Sequence, residues 1–136
     1  MDVSDAIRDR RAVREYTDEA VEEAVIVELI ETAICAPNSM NRQAWRFVVI
    51  TDRALLGHVA EQAKAQMLAS MEPASEIGRL KDHLARPAFD IFYGAPALVV
   101  ICATAGDQMA GWDCCLAAEN LMLAAHAKGL GSCWIG

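Results

Sequence analysis

The sequence predicts a single layered domain of the α+β or α/β kind. Segments with helical periodicity alternate with short apolar runs of strand length, in the order helices, strand, helices, strand, helix, strand. The chain has 136 residues, the size of one domain, and 54% of them are hydrophobic, so a sizeable core can form. Residues 112–128 form a helix that is apolar on almost every side, and such a helix must be covered on more than one face.

Residues 3–14 read as a short helix offering Ala6, Ile7 and Val13 for burial. Residues 18–35 read as a longer one, capped by Thr17 or Asp18, with Glu19, Glu22 and Glu23 favouring its positive end. Val21, Val25, Leu29, Ala33 and Ile34 form its apolar stripe, and Pro37 stops it. Phe47 to Ile50 is an apolar run too short for a helix and reads as a strand. Residues 53–71 are helical, with Leu55, Leu56, Val59, Ala63 and Met67 on one side. Residues 74–86 read as a more polar helix, and "RPAFDIFYGAP" as a loop carrying three aromatics. Ala97 to Cys102 is a continuous apolar strand, expected to be buried on both faces. The apolar surface of helix 112–128 is interrupted by Glu119, Asn120, His126 and Lys128. The sheet can cover one of its sides, and a partner subunit is expected to cover another. Gly129 stops it, Gly131 permits a tight turn, and Ser132 to Ile135 begins a third strand.

No apolar run approaches the roughly 20 residues of a membrane helix. The N-terminus is charged from Asp2 onward, unlike a secretory signal. Five cysteines in apolar company, an odd number, predict reduced thiols in the cytoplasm and small buried hydrophobes rather than a metal site. The net charge of −7 argues against a nucleic-acid partner. His58, His83 and His126 show no ligand spacing, no GxSxG elbow is present, and "GLGSCWIG" lies between helix and strand, the reverse of a phosphate-binding glycine loop.

Two clusters remain. Arg10 and Arg14 are four apart, which on a helix places them on one face with Arg11 beside it, a site for a phosphate or carboxylate. The alternative is a solvated basic face paired with Asp5, Asp9 and Glu15. In "APNSMNRQAWRF", Ser39, Asn41 and Gln43 alternate, so in an extended segment they point one way. Their donors and acceptors match the edge of a flat heterocycle, with Trp45 as a wall. The alternative is that they satisfy the loop's own backbone. No acid–base or nucleophilic constellation stands out, so any hard chemistry would be a cofactor's.

Taken in order, these segments resemble the nitroreductase family of flavoenzymes. "AIRDRRAVREY" is similar to the family's RRSxRxF/Y motif, and "APNSMNRQAWRFVVITD" to its APSxxNxQPWxFVVV motif. "GAPALVVICA" resembles its second core strand, and "DCCLAAENLMLAAHAKGLGSCWIG" its central helix and GLGTCWIG turn. The resemblance spans nearly the whole chain. It implies an α+β fold, a three-layer α/β/α arrangement with a small, mainly antiparallel sheet, forming an intertwined homodimer with FMN at the interface. It implies a single FMN-binding domain over residues 1–136, with Arg10, Arg11 and Arg14 on the phosphate. Asn38, Ser39, Asn41 and Gln43 would line the ring and ribityl chain from the other subunit, and Trp134, Ile135 and Gly136 would approach the redox-active nitrogen. No side chain is then catalytic, because flavin N5 carries the chemistry. Hydride would come from NADH or NADPH and pass to a small acceptor, a nitroaromatic or a quinone, in ping-pong order. Phe89, Phe92 and Tyr93, within the variable segment 67–94, would shape the acceptor pocket.

The sequence departs from the family pattern in places. Ala12 replaces the serine between the arginines and removes a phosphate hydrogen bond, Ala44 replaces a proline and loosens the loop, and Asn38 stands where serine is usual. Family members continue for some tens of residues past Gly136 with a further strand and a basic residue. An open strand edge is an aggregation risk, which favours an incomplete record of a longer chain. Two alternatives accompany the reductase: a non-catalytic or regulatory flavin-binding relic, and a flavin enzyme of other chemistry such as dehalogenation or flavin fragmentation.

Overall fold

The structure, a computed structural model, describes residues 1–70 and 81–136. Those residues form an α+β domain, as expected, in which α5 packs against a two-stranded antiparallel sheet. In order come α1 (Val3–Asp9), α2 (Glu23–Ala33), a 3-10 turn (Ser39–Asn41), β1 (Trp45–Ile50), α3 (Arg53–Ser70), α4 (Lys81–Leu84), β2 (Leu98–Ala103) and α5 (Gln108–Ala127). The strands pair from Trp45 opposite Ala103 to Ile50 opposite Leu98.

Helix α5 is the axis of the domain. Asp107 caps its start by accepting from the Ala110 amide at 3.1 Å. It ends as the glycine predicts: Gly129 takes φ +78°, and the Leu130 amide reaches back to the Ala125 carbonyl at 2.9 Å. Ala110, Cys114, Ala117 and Ala125 are buried along one stripe. On α2, Ile26, Leu29 and Ala33 form the matching stripe. Ala33 and Ala117, both 0% exposed, let the two helices approach closely, and Trp45, Phe47, Ile101 and Leu121 close the core around them. The Lys128 ammonium pairs with Glu28 at the far end of the same contact.

Several expectations are corrected. Helix α1 stops at Asp9 instead of residue 14. Arg10 turns into extended backbone (φ −56°, ψ 133°), Arg11 donates to the Arg8 and Arg10 carbonyls at 2.6 and 2.8 Å, and the Val13 amide bonds to the Ser132 carbonyl at 2.9 Å. A tertiary pairing thus replaces further helix, and Ile7 stays 60% exposed. Helix α2 begins at Glu23, not at residue 18. Arg53 holds Asp18 in the preceding loop through its carbonyl (3.0 Å) and carboxylate (3.2 Å), so neither Asp18 nor Thr17 caps the helix. Helix α3 matches expectation to within one residue, whereas of the helix expected at 74–86 the described part is α4, and residues 71–80 lie outside the described residues.

Strand β2 is not buried on both faces: the cross-strand pair Val48 and Val100 is 48% and 38% exposed. Ser132 to Ile135 joins no sheet among the described residues and makes one parallel bridge, Ala12 to Ser132. The cysteines are less buried than their composition suggested. Cys114 is buried, but Cys35, just past the end of α2, Cys102 on β2 and Cys115 on α5 are exposed.

The α2–α5 contact gives the first test. Ala117→Leu would force extra methylenes between helices with no room for them, costing about 1–3 kcal/mol. A urea titration should show a lower midpoint at unchanged slope.

Candidate functional site

The carboxamide loop is a folded turn, not the extended segment expected from alternation. Met40 and Asn41, within the 3-10 turn, and Gln43, just after it, take φ of 56°, 53° and 50°. Left-handed backbone is uncommon for residues other than glycine and asparagine, and it persists where surroundings over-determine it. Here they do. The buried carboxylate of Asp113 accepts from the Ser39 amide at 3.1 and 3.0 Å. Asn38 Oδ1 accepts from the Gln43 amide at 2.8 Å, so Asn38 spends its oxygen on the turn itself. Arg42 clamps Asp107 with two bonds of 2.8 and 3.0 Å. The loop is therefore pinned to α5 from both sides, not loosened by Ala44, which is itself buried and accepts from the Thr104 amide at 3.0 Å. Asn41 and Gln43 end exposed, their carboxamides 3.3 Å apart. Trp45 is in the core against Ala33 and Cys114 and offers no wall.

The arginines do not share a helix face, because they follow α1 as extended chain. Arg10 lies 4.0 Å from Glu119 of α5, Arg11 caps α1, and the Arg14 guanidinium sits 5.9 Å from the centre of the Tyr93 ring. Arg10 and Arg11 line an open cleft of about 430 Å³ with Asp9, Val13, His126, Gly131 and Ser132. Gly131 permits the close approach that forms it, since a Cβ there would lie 2.8 Å from the Val13 side chain. Among the described residues, His126 Nε2 and Ser132 Oγ are buried without hydrogen-bond partners, and both belong to residues of this cleft. Orphaned polar atoms of this kind are costly unless something binds them. Ser132 lies opposite Ala12, so a hydroxyl stands across from the serine the sequence lacks. The donor set thus fits a phosphate.

The chain end, Trp134 (50% exposed), Ile135 (39%) and Gly136, lies at the surface beyond this cleft. Tyr16 donates to the Val13 carbonyl at 2.7 Å, and burial, with the neighbouring Cys133, raises its hydroxyl above the ordinary range. The aromatic loop is built firmly. Buried Lys64 donates to the Arg86 and Phe89 carbonyls at 3.0 Å each, and Asp90 accepts from the Phe92 and Gly94 amides at 2.9 Å each. Tyr93 is thereby held at φ 56°, facing Arg14. Asp113, Asp107, Lys64, His126 and Ser132 were not singled out from sequence as site residues. An acid early in an apolar helix was a usable signal for Asp113. The others depend on contacts distant in sequence.

The α+β scaffold thus carries a preformed carboxamide turn near one end of a long helix and an arginine cleft toward the other. The chain belongs to the nitroreductase family, whose model matches residues 7–136. It is similar to a Methanothermobacter thermautotrophicus protein provisionally named NADH dehydrogenase/NAD(P)H nitroreductase, with 29% identity over 100% of this chain and 61% of the relative. It is also similar to the 5,6-dimethylbenzimidazole synthase of Rhodospirillum rubrum, with 31% identity over 93% of this chain and 64% of the relative. The crystal structure of a nitroreductase with bound FMN from Bacteroides fragilis superposes with a TM-score of 0.86 at 28% identity, covering 99% of this chain and 70% of that one. The chain spans under two thirds of the length of both curated relatives.

The Arg42–Asp107 clamp sets a pH dependence. The Arg42 guanidinium, helped by the Ala110 amide, holds the Asp107 carboxyl down to about 2 from an ordinary 3.8. A depressed folded-state value means the stabilisation is complete above 3.8 and lost as pH falls toward 2. Melting temperature should therefore fall across pH 4 to 2, and Asp107→Asn should flatten that fall. Equal slopes would remove the clamp from the explanation.

Proposed function

We propose that the protein is an FMN-dependent oxidoreductase that takes hydride from NADH or NADPH and reduces a small acceptor, a nitroaromatic or a quinone, in ping-pong order. The observation that carries this reading is the pair of polar sites spaced along α5. Arg10, Arg11, His126 and Ser132 would hold the phosphate, with Arg14 adding positive potential nearby. Asn41 and Gln43 would hydrogen-bond the polar edge of the ring, with Asn38 and Ser39 building their turn. Trp134, Ile135 and Gly136 would line the ring near its reactive nitrogen. When bound, FMN supplies the hydride-accepting and hydride-donating centre at N5. The polar residues bind and orient, and the aromatic loop with Phe89, Phe92 and Tyr93 bounds the acceptor's space.

The site would be shared by two copies of the chain. The loop rests on Asp113 and the cleft on His126, and that stretch of α5 spans roughly 20 Å at helical rise. This exceeds the separation of ring and phosphate within one flavin mononucleotide. Two antiparallel α5 helices crossing near Glu119 would bring the loop of one copy to the cleft of the other. Met109, Trp112 and Leu116, at i, i+3 and i+7, are 52%, 55% and 46% exposed and supply an apolar stripe for that crossing. The chain exposes 9079 Å², against roughly 7,000 Å² for a compact monomer of this mass. The difference is on the scale that one subunit of an obligate homodimer buries. Five free cysteines suit a reducing compartment, and we place the protein in the cytoplasm.

The relationship to a protein named 5,6-dimethylbenzimidazole synthase favours one second reading, the same cofactor with different acceptor chemistry.

The purified protein should be yellow, or become so with added FMN, and bleach anaerobically with NADH or NADPH. Colour returning with a nitroaromatic or quinone supports the reductase, whereas failure to bleach supports the second reading. A protein colourless in the presence of FMN would end both. Replacing Arg10 by alanine should weaken FMN about ten-fold, the worth of one charge-assisted contact, and replacing Arg14 should weaken it by less, because Arg14 adds potential and not a contact. Trp112→Glu should shift sedimentation from dimer to monomer and release flavin with it; a monomeric wild type would remove the shared site.

A further inference from the structure

Asp113 is a buried acid for which the binding chemistry so far has no task. It is 4% exposed, on the buried stripe of α5, and no cation lies within ion-pair distance of it among the described residues. Both its oxygens accept from one donor, the Ser39 amide, at 3.1 and 3.0 Å. Burying a carboxylate without a paired charge costs several kcal/mol, and an apolar residue of similar volume would pack there without that cost. Stability alone therefore does not account for an acid at this position. Its effect is geometric, because it fixes where the 3-10 turn meets α5.

The turn needs such a fixed point. Three of the four residues 40–43, Met40, Asn41 and Gln43, hold left-handed backbone, which costs roughly 1 kcal/mol or more each at Met40 and Gln43. The other restraints are weaker anchors. Arg42 and Asp107 are 35% and 45% exposed and subject to salt screening, and the Asn38 bond to the Gln43 amide lies within the loop. Asp113 is the buried tie between the turn and α5, and the Arg42–Asp107 tie is the exposed one. We propose that Asp113 is a positioning residue that sets the carboxamide turn, so that Asn41 and Gln43 present their amides to the flavin's polar edge. This rests on the FMN reading above.

The test uses FMN as the probe, on the full chain. Asp113→Asn keeps one accepting oxygen and should leave affinity close to wild type. Asp113→Ala should weaken FMN about ten-fold or more, the scale of one lost hydrogen bond to a charged group, and shift the visible band of whatever flavin remains bound. Where Asp113→Ala fails to fold, the double variant Ser39→Pro with Asp113→Leu removes donor and acceptor together, which is tolerated far better than removing one. Asn38 is already extended (φ −147°, ψ 154°), the conformation a following proline requires. The double variant should melt near wild type, exchange the amides of residues 38–43 faster without ligand, and bind FMN as weakly as Asp113→Ala. Wild-type affinity and spectrum in Asp113→Ala or in the double variant would overturn the positioning role and leave the flavin reading intact. A wild type that binds no FMN would overturn both.

Discussion

Ala33 and Ala117, both without exposed surface, let α2 and α5 meet at close range, and the remaining elements are placed by that contact. The sheet docks through Trp45, Phe47 and Ile101 onto the same cluster. The 3-10 turn is tied to α5 through Asp113 and Asp107, and the Arg10 segment lies beside Glu119 of the same helix. A 20-residue helix spans about 30 Å. One helix thus fixes the positions of polar groups that neighbour one another nowhere in the sequence. Small residues at the contact are what make this possible, because larger ones would push α2 outward and move the loop that follows it.

Strain is concentrated where polar side chains gather. Met40, Asn41, Gln43 and Tyr93 are the non-glycine residues at positive φ among the described residues, and each lies in a segment whose backbone amides donate to side-chain oxygens. Asp113 and Asn38 hold the first three, and Asp90 the last. Backbone of this kind is unfavourable in isolation and survives because the acceptors are themselves fixed by α5 or by the Lys64 tether. Both turns present exposed polar or aromatic groups in set directions before any ligand arrives. A pre-ordered turn spares a ligand part of the entropy of ordering it.

Much of the fold was legible in the sequence, and the failures have a common origin. Periodicity located α2, α3 and α5, and Gly129 marked the end of α5 to within one residue, because these signals act within a few positions of themselves. The end of α1 was missed because nothing local stops a helix at Asp9; a backbone bond from Val13 to Ser132 does, across more than a hundred residues. The turn at residues 39–41 was read as extended because alternation is a strand signal, and methionine and glutamine give no local hint of left-handed backbone. Arg10, Arg11 and Arg14 were legible as a cluster but not in arrangement: chain that leaves a helix sends its side chains to different neighbours, Glu119, the α1 carbonyls and Tyr93. Motif resemblance supplied the family, which composition and spacing could not.

A site divided along α5 has a thermodynamic consequence. If the arginine cleft of one copy and the carboxamide turn of another meet one ligand, then neither copy alone gains the full binding free energy. Ligand binding, association and folding become linked equilibria, and each shifts the others by mass action. The uncovered Met109, Trp112 and Leu116 stripe has the same implication from the apolar side, because a lone chain leaves in water surface that a partner would bury.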